Sequence, residues 1–227
     1  MDPTPRFAYV AQLQELEHEM IEMAATAERM VVDAVQALGH LDVEAARVVV
    51  RADARVDEFD LDIENRCIRL LALQGPTGRD LRTIGSAMKI ITDIERIGDL
   101  AVDIAKIALK IEAEHGSPSV IDLPKMANTV SFMFRQAIEA YVHRDPERVA
   151  RVAELENEVD ALYRELRGHV FHHMSGEMSQ VVTDGWLLLA VHHLERIADH
   201  ALNIAERVTF IMTGELRQLT PSEKPLP

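Results

Sequence analysis

The sequence predicts an all-α protein built as two tandem antiparallel three-helix bundles, six long helices in all. Three observations predict it. Proline stands at 3, 5, 76, 118, 124, 146, 221, 225 and 227 and nowhere between. Proline breaks helix interiors, so the proline-free stretches are where long helices can run. No β-branched segment with strand-like alternation, bounded by glycine, stands out. The two halves of the chain also repeat one another.

The elements follow from the turn signals. Helices are expected over roughly 5–38, 42–73, 77–114, 120–143, 146–174 and 178–213. They are separated by "GHLD" (39–42), "GPTG" (75–78), "HGSPS" (115–119), "RDP" (144–146) and "SGEM" (175–178). Residues 5–114 form the first bundle, 118–214 the second, and 215–227, ending in "TPSEKPLP", a disordered tail. The third helix is the most periodic. Ile84, Met88, Ile91, Glu95, Gly98, Val102, Ala105 and Leu109 recur in steps of four and three. Ile90, Ile94, Ile97, Ala101, Ile104 and Ala108 form a second seam. Two apolar seams mean a helix contacted on more than one side.

Composition narrows the function. The 227 residues carry 24 basic and 38 acidic side chains, a net charge of −14. Nucleic-acid binding needs clustered Lys and Arg for phosphates and aromatics for stacking, and aromatics make up only 4% here. No nucleic-acid partner is expected. The longest apolar run, "WLLLAV" (186–191), is far short of the ~20 residues of a membrane span. "MDPTPRFAYV" has no basic region followed by an apolar one, so no signal peptide is expected. Cys67 is the single cysteine, which fits a reducing compartment. A cytoplasmic location is expected.

The repeat is sharpest at "ERIGD" (95–99) and "ERIAD" (195–199). Across 95–105 and 195–205, seven of eleven positions are identical. The preceding helices match at a slightly different offset, "DARVDEF" (53–59) with "ENEVDAL" (156–162). Each half therefore carries two acid-x-x-x-Asp pairs on consecutive helices. The pairs are Asp53/Asp57 with Glu95/Asp99, and Glu156/Asp160 with Glu195/Asp199. Residues four apart share a helix face, about 5–6 Å apart at Cβ, where like charges repel. Asp103 extends the first ladder and Asn203 takes its place in the second.

Joined by a short turn, antiparallel helices bring such pairs face to face at similar heights. Four facing carboxylates suit a hard, oxygen-preferring cation, and helical bundles bind iron and manganese through carboxylates. The competing reading is a solvated acidic face, with Arg96 and Arg196 supplying neutralisation. His192, three residues before Glu195, could add a nitrogen ligand for zinc or iron, and its counterpart is Thr92. His172 and His173 suit the end of the fifth helix, where the dipole favours positive charge.

No nucleophile arrangement stands out. "QGPTGRD" (74–80) lacks the Gly-Lys-Ser/Thr ending of a phosphate loop. A carboxylate-bridged metalloenzyme or metal-storage bundle of the ferritin-like class is the alternative. The forward Glu-x-x-His that such bundles use is absent, and the near match His192-x-x-Glu195 runs backwards.

At "DIERIGDLAVDIAK" (93–106), "HLERIADHALNIAE" (193–206), "LLALQGPTGRDLR" (70–82) and the paired acidic helices, the chain resembles the PhoU family of phosphate-transport-system regulators. The resemblance covers residues 6 to about 214 in the family's tandem order. It implies two three-helix bundles whose acidic motifs can bind divalent or trivalent metal ions: iron, zinc, manganese or magnesium. The implied metal residues are Asp53, Asp57, Glu95, Asp99 and Asp103, and Glu156, Asp160, Glu195, Asp199 and Asn203. It implies a regulator that represses the phosphate-starvation response, acting between a phosphate ABC transporter and a membrane sensor histidine kinase. Such a protein is not an enzyme, and it reaches the membrane only through its protein partners. The resemblance and the long flat faces (an ideal 30-residue helix is ~45 Å long) point to a homodimer. The second half departs from the family pattern at "SGEMSQVVTDGW" (175–186), which lacks the proline-bearing turn.

Overall fold

The computed structural model describes residues 5–114, 116, 121–176 and 178–219, with side chains from Tyr9 onward. Six α-helices account for almost all of it, and no strand is present among the described residues. They are α1 (Pro5–His40), α2 (Val43–Gln74), α3 (Gly78–Ala113), α4 (Leu123–His143), α5 (Pro146–Gly176) and α6 (Val181–Thr213).

The turns are built by the residues that mark them in sequence. Asp42 caps α2 by accepting the Ala45 N–H at 2.9 Å. Gly75 ends α2 at φ +54° and Gly78 opens α3 at φ +58°, a left-handed backbone that glycine adopts without Cβ strain. Asp122 caps α4 by accepting the Lys125 N–H at 3.2 Å, with Pro124 in the first turn, where its missing N–H costs nothing. This cap sets the start of α4 at Leu123, three residues later than the periodicity suggests. The sixth helix also starts later than expected. Met178–Gln180 form a 3-10 turn, and α6 proper begins at Val181.

Helices α1, α2 and α3 pack as one bundle, and α4, α5 and α6 as a second. The bundles meet where α3 packs along α6 and α1 along α4. Helix α3 therefore touches α1, α2 and α6, which explains its two apolar seams. Ile90, Ile91, Ile94, Ile97, Ala101, Ile104 and Ala105 are all fully buried. Their repeat partners Ala190, Val191, Leu194, Ile197, Ala201, Ile204 and Ala205 are buried too. Each Ile or Leu removed from water contributes ~1.5–3 kcal/mol. Because the shared seam lies between the bundles, one contiguous core runs through both halves.

Polar clamps hold the joint. The Arg82 Nε–H donates to the Ile211 carbonyl at 3.3 Å, and the Trp186 indole N–H to Glu114 Oε2 at 3.2 Å. Arg135 of α4 grips Glu28 of α1, with Nε 3.1 Å from Oε1. Residues 215–219 of the expected tail carry no helix. Leu219 packs against the core and its N–H donates to Glu206 Oε1 at 2.9 Å. Residues 220–227 lie outside the described residues.

Candidate functional site

The first acidic cluster is built on α2 and α3. Asp53 and Asp57 sit one turn apart on α2, and Glu95, Asp99 and Asp103 climb α3. At Gly98 the two helices are in ordinary packing contact. A Cβ at that position would stand 3.4 Å from Val56 Cγ1 and 3.6 Å from Asp53 Oδ1. The two ladders sense each other electrostatically. Burial first, then the charges of Asp57, Asp99 and Asp103, pushes the Asp53 carboxyl up from its usual range. Burial, then Asp99, pushes Glu95 up, with Asp60 and Asp57 adding to it across the helix pair. The five carboxylates singled out in sequence thus stand along one stretch of α2 and α3, where Asp53 senses Asp57, Asp99 and Asp103, and Glu95 senses Asp99 and Asp57.

Asp60 was not anticipated. It lies one turn beyond Asp57, and burial, then Glu64 and Asp57, raises its carboxyl. Its Oδ1 is buried without a hydrogen-bond partner. The signal was available, because 53, 57 and 60 share one face in steps of four and three. The repeat partner of Asp60 is Tyr163, which hides the position from a comparison of the halves.

Local cations answer part of the charge. Arg96 Nη1 donates to Asp99 Oδ2 at 2.8 Å and its Nε lies 3.3 Å from Glu95 Oε2. Lys106 Nζ is 3.5 Å from Asp103 Oδ1. Arg96 is half exposed, so each of its pairs is worth only ~0–1 kcal/mol.

The second cluster differs. Glu156 of α5 is buried and Glu195 of α6 nearly so, at 7% and 13% exposure, whereas Asp199 is exposed. His192 Nδ1 lies 3.5 Å from Glu195 Oε2, and its ring centroid 6.4 Å from that of Tyr163. Asn203 has another engagement: its amide donates to Asp93 Oδ1 of α3 at 3.2 Å. The same oxygen accepts from His200 Nδ1 at 2.9 Å. At the repeat-related place, His193 lies close enough to Asp103 to sense its charge. Burial outweighs that charge and pulls the His193 imidazole below its usual range, so it stays neutral. His173, beyond its place in the last turn of α5, bonds to the buried Asp184 of α6 at 2.8 Å.

Among the described residues no three carboxylate, imidazole or thiol groups converge tightly enough to form a ready-made coordination sphere. The donor set fits a hard cation by its chemistry. It is all oxygen, mutually repelling, and holds a buried carboxylate oxygen without a hydrogen bond at Asp60. Among the described residues no helix is long and apolar enough to cross a membrane.

Two tandem three-helix bundles joined along α3 and α6, each with an acidic face repeated in sequence, define a tandem-repeat helical-bundle protein. The PhoU domain model matches it twice, over residues 20–108 and 123–208. The chain belongs to the PhoU family. It is 34% identical to the phosphate-specific transport system accessory protein PhoU homolog of Clostridium acetobutylicum, over 92% of this chain and 96% of the relative. It is 35% identical to the Caulobacter vibrioides homolog of the same description, over 92% and 91%. The crystal structure of PhoU from Pseudomonas aeruginosa superposes with a TM-score of 0.86 at 30% identity, covering 91% of this chain and all of that one. The phosphate transport system regulatory protein PhoU from Streptococcus pneumoniae superposes at 0.83 with 28% identity, covering 92% and 99%.

Proposed function

We propose that this chain is a non-enzymatic regulatory accessory protein of phosphate-specific transport. It holds metal ions on its two acidic faces and represses the phosphate-starvation response from the cytoplasm, as a homodimer, between a phosphate ABC transporter and a sensor histidine kinase. The observation that carries the metal part is the set of raised carboxyls on facing helices. Asp53 and Glu95 are each pushed upward by burial and by acids that include the opposite ladder's, and Asp60 by burial and by acids of its own helix. Folding has concentrated negative charge on the first of the two repeated faces.

Asp53, Asp57, Glu95 and Asp99 would hold one ion, with Asp103 and Asp60 alongside. Glu156, Asp160, Glu195 and Asp199 would hold the other. A bound cation supplies positive charge that the local Arg96 delivers only weakly, and ties the two helices of each pair together. A regulatory accessory role in phosphate-specific transport is supported by family membership and by the names of the relatives.

The test combines a deletion with complementation. Cells lacking the gene should express phosphate-starvation genes in phosphate-rich medium. The wild-type chain should restore repression, and a chain carrying both Asp99→Asn and Asp199→Asn should restore it poorly. Unchanged repression in the deletion strain would remove the regulatory assignment. Full complementation by the double variant would separate regulation from the acidic faces.

A further inference from the structure

A polar pocket of about 240 Å³ opens where the two bundles meet, lined by Lys89, Thr92 and Asp93 of α3 and Asn203, Glu206 and Arg207 of α6. It lies apart from the acid-x-x-x-Asp pairs and, unlike them, sets two cations beside two carboxylates. The two carboxylates in it are already engaged. Asp93 accepts from His200 and Asn203, and Glu206 accepts the Leu219 N–H at 2.9 Å. The two cations are not. Among the described residues neither the Lys89 ammonium nor the Arg207 guanidinium has an ion-pair or hydrogen-bond partner.

The internal repeat supplies a control within the same molecule. Helices α3 and α6 pair so that Asp93 meets Asn203 and Asp103 lies near His193. Shifting by the repeat of 100 residues turns the Lys89 and Arg207 positions into Leu189 and Ile107. The equivalent joint therefore carries two apolar side chains, where this end carries two like charges around one pocket. The free donors are those of an oxyanion site: three N–H on Lys89, the guanidinium fork of Arg207, and the second amide N–H of Asn203.

We propose that this pocket binds a free tetrahedral oxyanion of the inorganic phosphate class, bridging the two bundles through Lys89 and Arg207. Size and charge argue against larger polyanions. Sites for drug-sized ligands span roughly 300–1,000 Å³, above this pocket. A net charge of −14 repels a nucleic acid or an anionic lipid surface, whereas a small ion can reach Lys89 and Arg207 inside the pocket. Because α3 and α6 belong to different bundles, an ion held here would couple their spacing to phosphate supply. The Glu206–Leu219 bond places the C-terminal segment beside the same pocket.

The test is calorimetric titration of the full-length protein with inorganic phosphate, with and without a chelator. Titrations with glycerol phosphate and with vesicles of phosphatidylglycerol are run alongside. Wild type should bind phosphate in both conditions and ignore the vesicles. Lys89→Met and Arg207→Met should each weaken binding about tenfold or more, and the double variant should abolish it. Arg51→Gln, an exposed cation elsewhere on α2, should bind like wild type. Helical content and melting of the Met variants without phosphate should match wild type, since neither cation has an ion-pair or hydrogen-bond partner to lose among the described residues. No binding by wild type overturns the proposal, as does undiminished binding by the double variant or binding to vesicles alone. Binding that disappears with the chelator and ignores both substitutions would put phosphate on metal at the acidic faces, and overturns it equally.

Discussion

His200 of α6 donates from Nδ1 to Asp93 Oδ1 of α3 across the seam between the bundles, at 2.9 Å, with both side chains less than a fifth exposed. Asp93 is the shared acceptor of that bond and of the Asn203 amide. Asp93→Ala removes it and leaves the sheltered His200 donor without a partner, which costs ~1–3 kcal/mol, while the exposed Asn203 amide turns to water. Thermal denaturation should show a fall of several degrees. His200→Ala should cost less, because Asn203 keeps its acceptor. The double variant should cost less than the two singles summed. Additive losses would mean the bond contributes nothing to holding the bundles together.

The raised carboxyls make a signed prediction about pH. In the metal-free protein, Asp53, Asp60 and Glu95 have folded-state pKa values above those of the unfolded chain. Between the two values the folded state binds more protons, so stability falls as pH rises. Their contribution is fully present below the unfolded carboxyl pKa and is lost as pH rises through the raised folded values. Chelated wild type should therefore gain stability, relative to a Asp53→Asn and Glu95→Gln double variant, as pH falls from neutrality into the weakly acidic range. Parallel melting-temperature curves for the two proteins would show that the ladders do not interact.

Two glycines should respond oppositely to alanine. At Gly98 the added methyl meets ordinary contacts, 3.4 Å to Val56 and 3.6 Å to Asp53, and Ala198 already fills the equivalent place. Alanine gains up to ~1 kcal/mol of helix propensity over glycine. Gly98→Ala should melt at or above wild type. At Gly116 the methyl would fall 2.6 Å from Ile111 Cγ2 and 2.8 Å from Thr183 Oγ1. Gly116→Ala forces the start of α6 away from the end of α3 and should cost ~1–3 kcal/mol, the usual range for overpacking. The comparison fails if the two variants melt alike.

Much of this was legible because helices advertise themselves through period and punctuation. The two seams of α3, the Gly75 and Gly78 turn and the Asp42 cap all stand in the sequence. The first-cluster acids could be grouped because they repeat in register on neighbouring helices. What the repeat could not show was what sits where the halves disagree. Asp60 is matched by Tyr163, Leu100 by His200, and Asp93 by His193. Each disagreement has a spatial cause. His200 and Asp93 face each other across the joint between bundles, where 107 residues separate partners in sequence. The late start of α6 has a local cause, since α5 runs on to Gly176, Met178–Gln180 take a 3-10 turn, and neither a proline nor a side-chain cap fixes the first helical residue.

The last prediction concerns metal on the acidic faces. Asp99 is paired with Arg96 at 2.8 Å, but both are more than a third exposed, so the pair is worth little. Removing the Asp99 charge also relieves Asp53 and Glu95, both of which it pushes upward. Metal-free Asp99→Asn should therefore melt no lower than wild type. With metal the order reverses. An ion that binds only the folded state adds RT ln(1 + [L]/Kd), ~2.7 kcal/mol at a hundredfold excess over Kd. Wild type should gain several degrees with manganese or iron and lose them on chelation. Asp99→Asn and Asp199→Asn should each carry about half the wild-type metal, and the double variant should respond to neither addition nor chelation. Asp60→Asn should weaken the first site alone, because the second has Tyr163 at that place. Equal metal content in wild type and double variant, measured by elemental analysis, would make the acids a solvated face. A wild-type melting curve that chelation leaves unmoved would lead to the same conclusion.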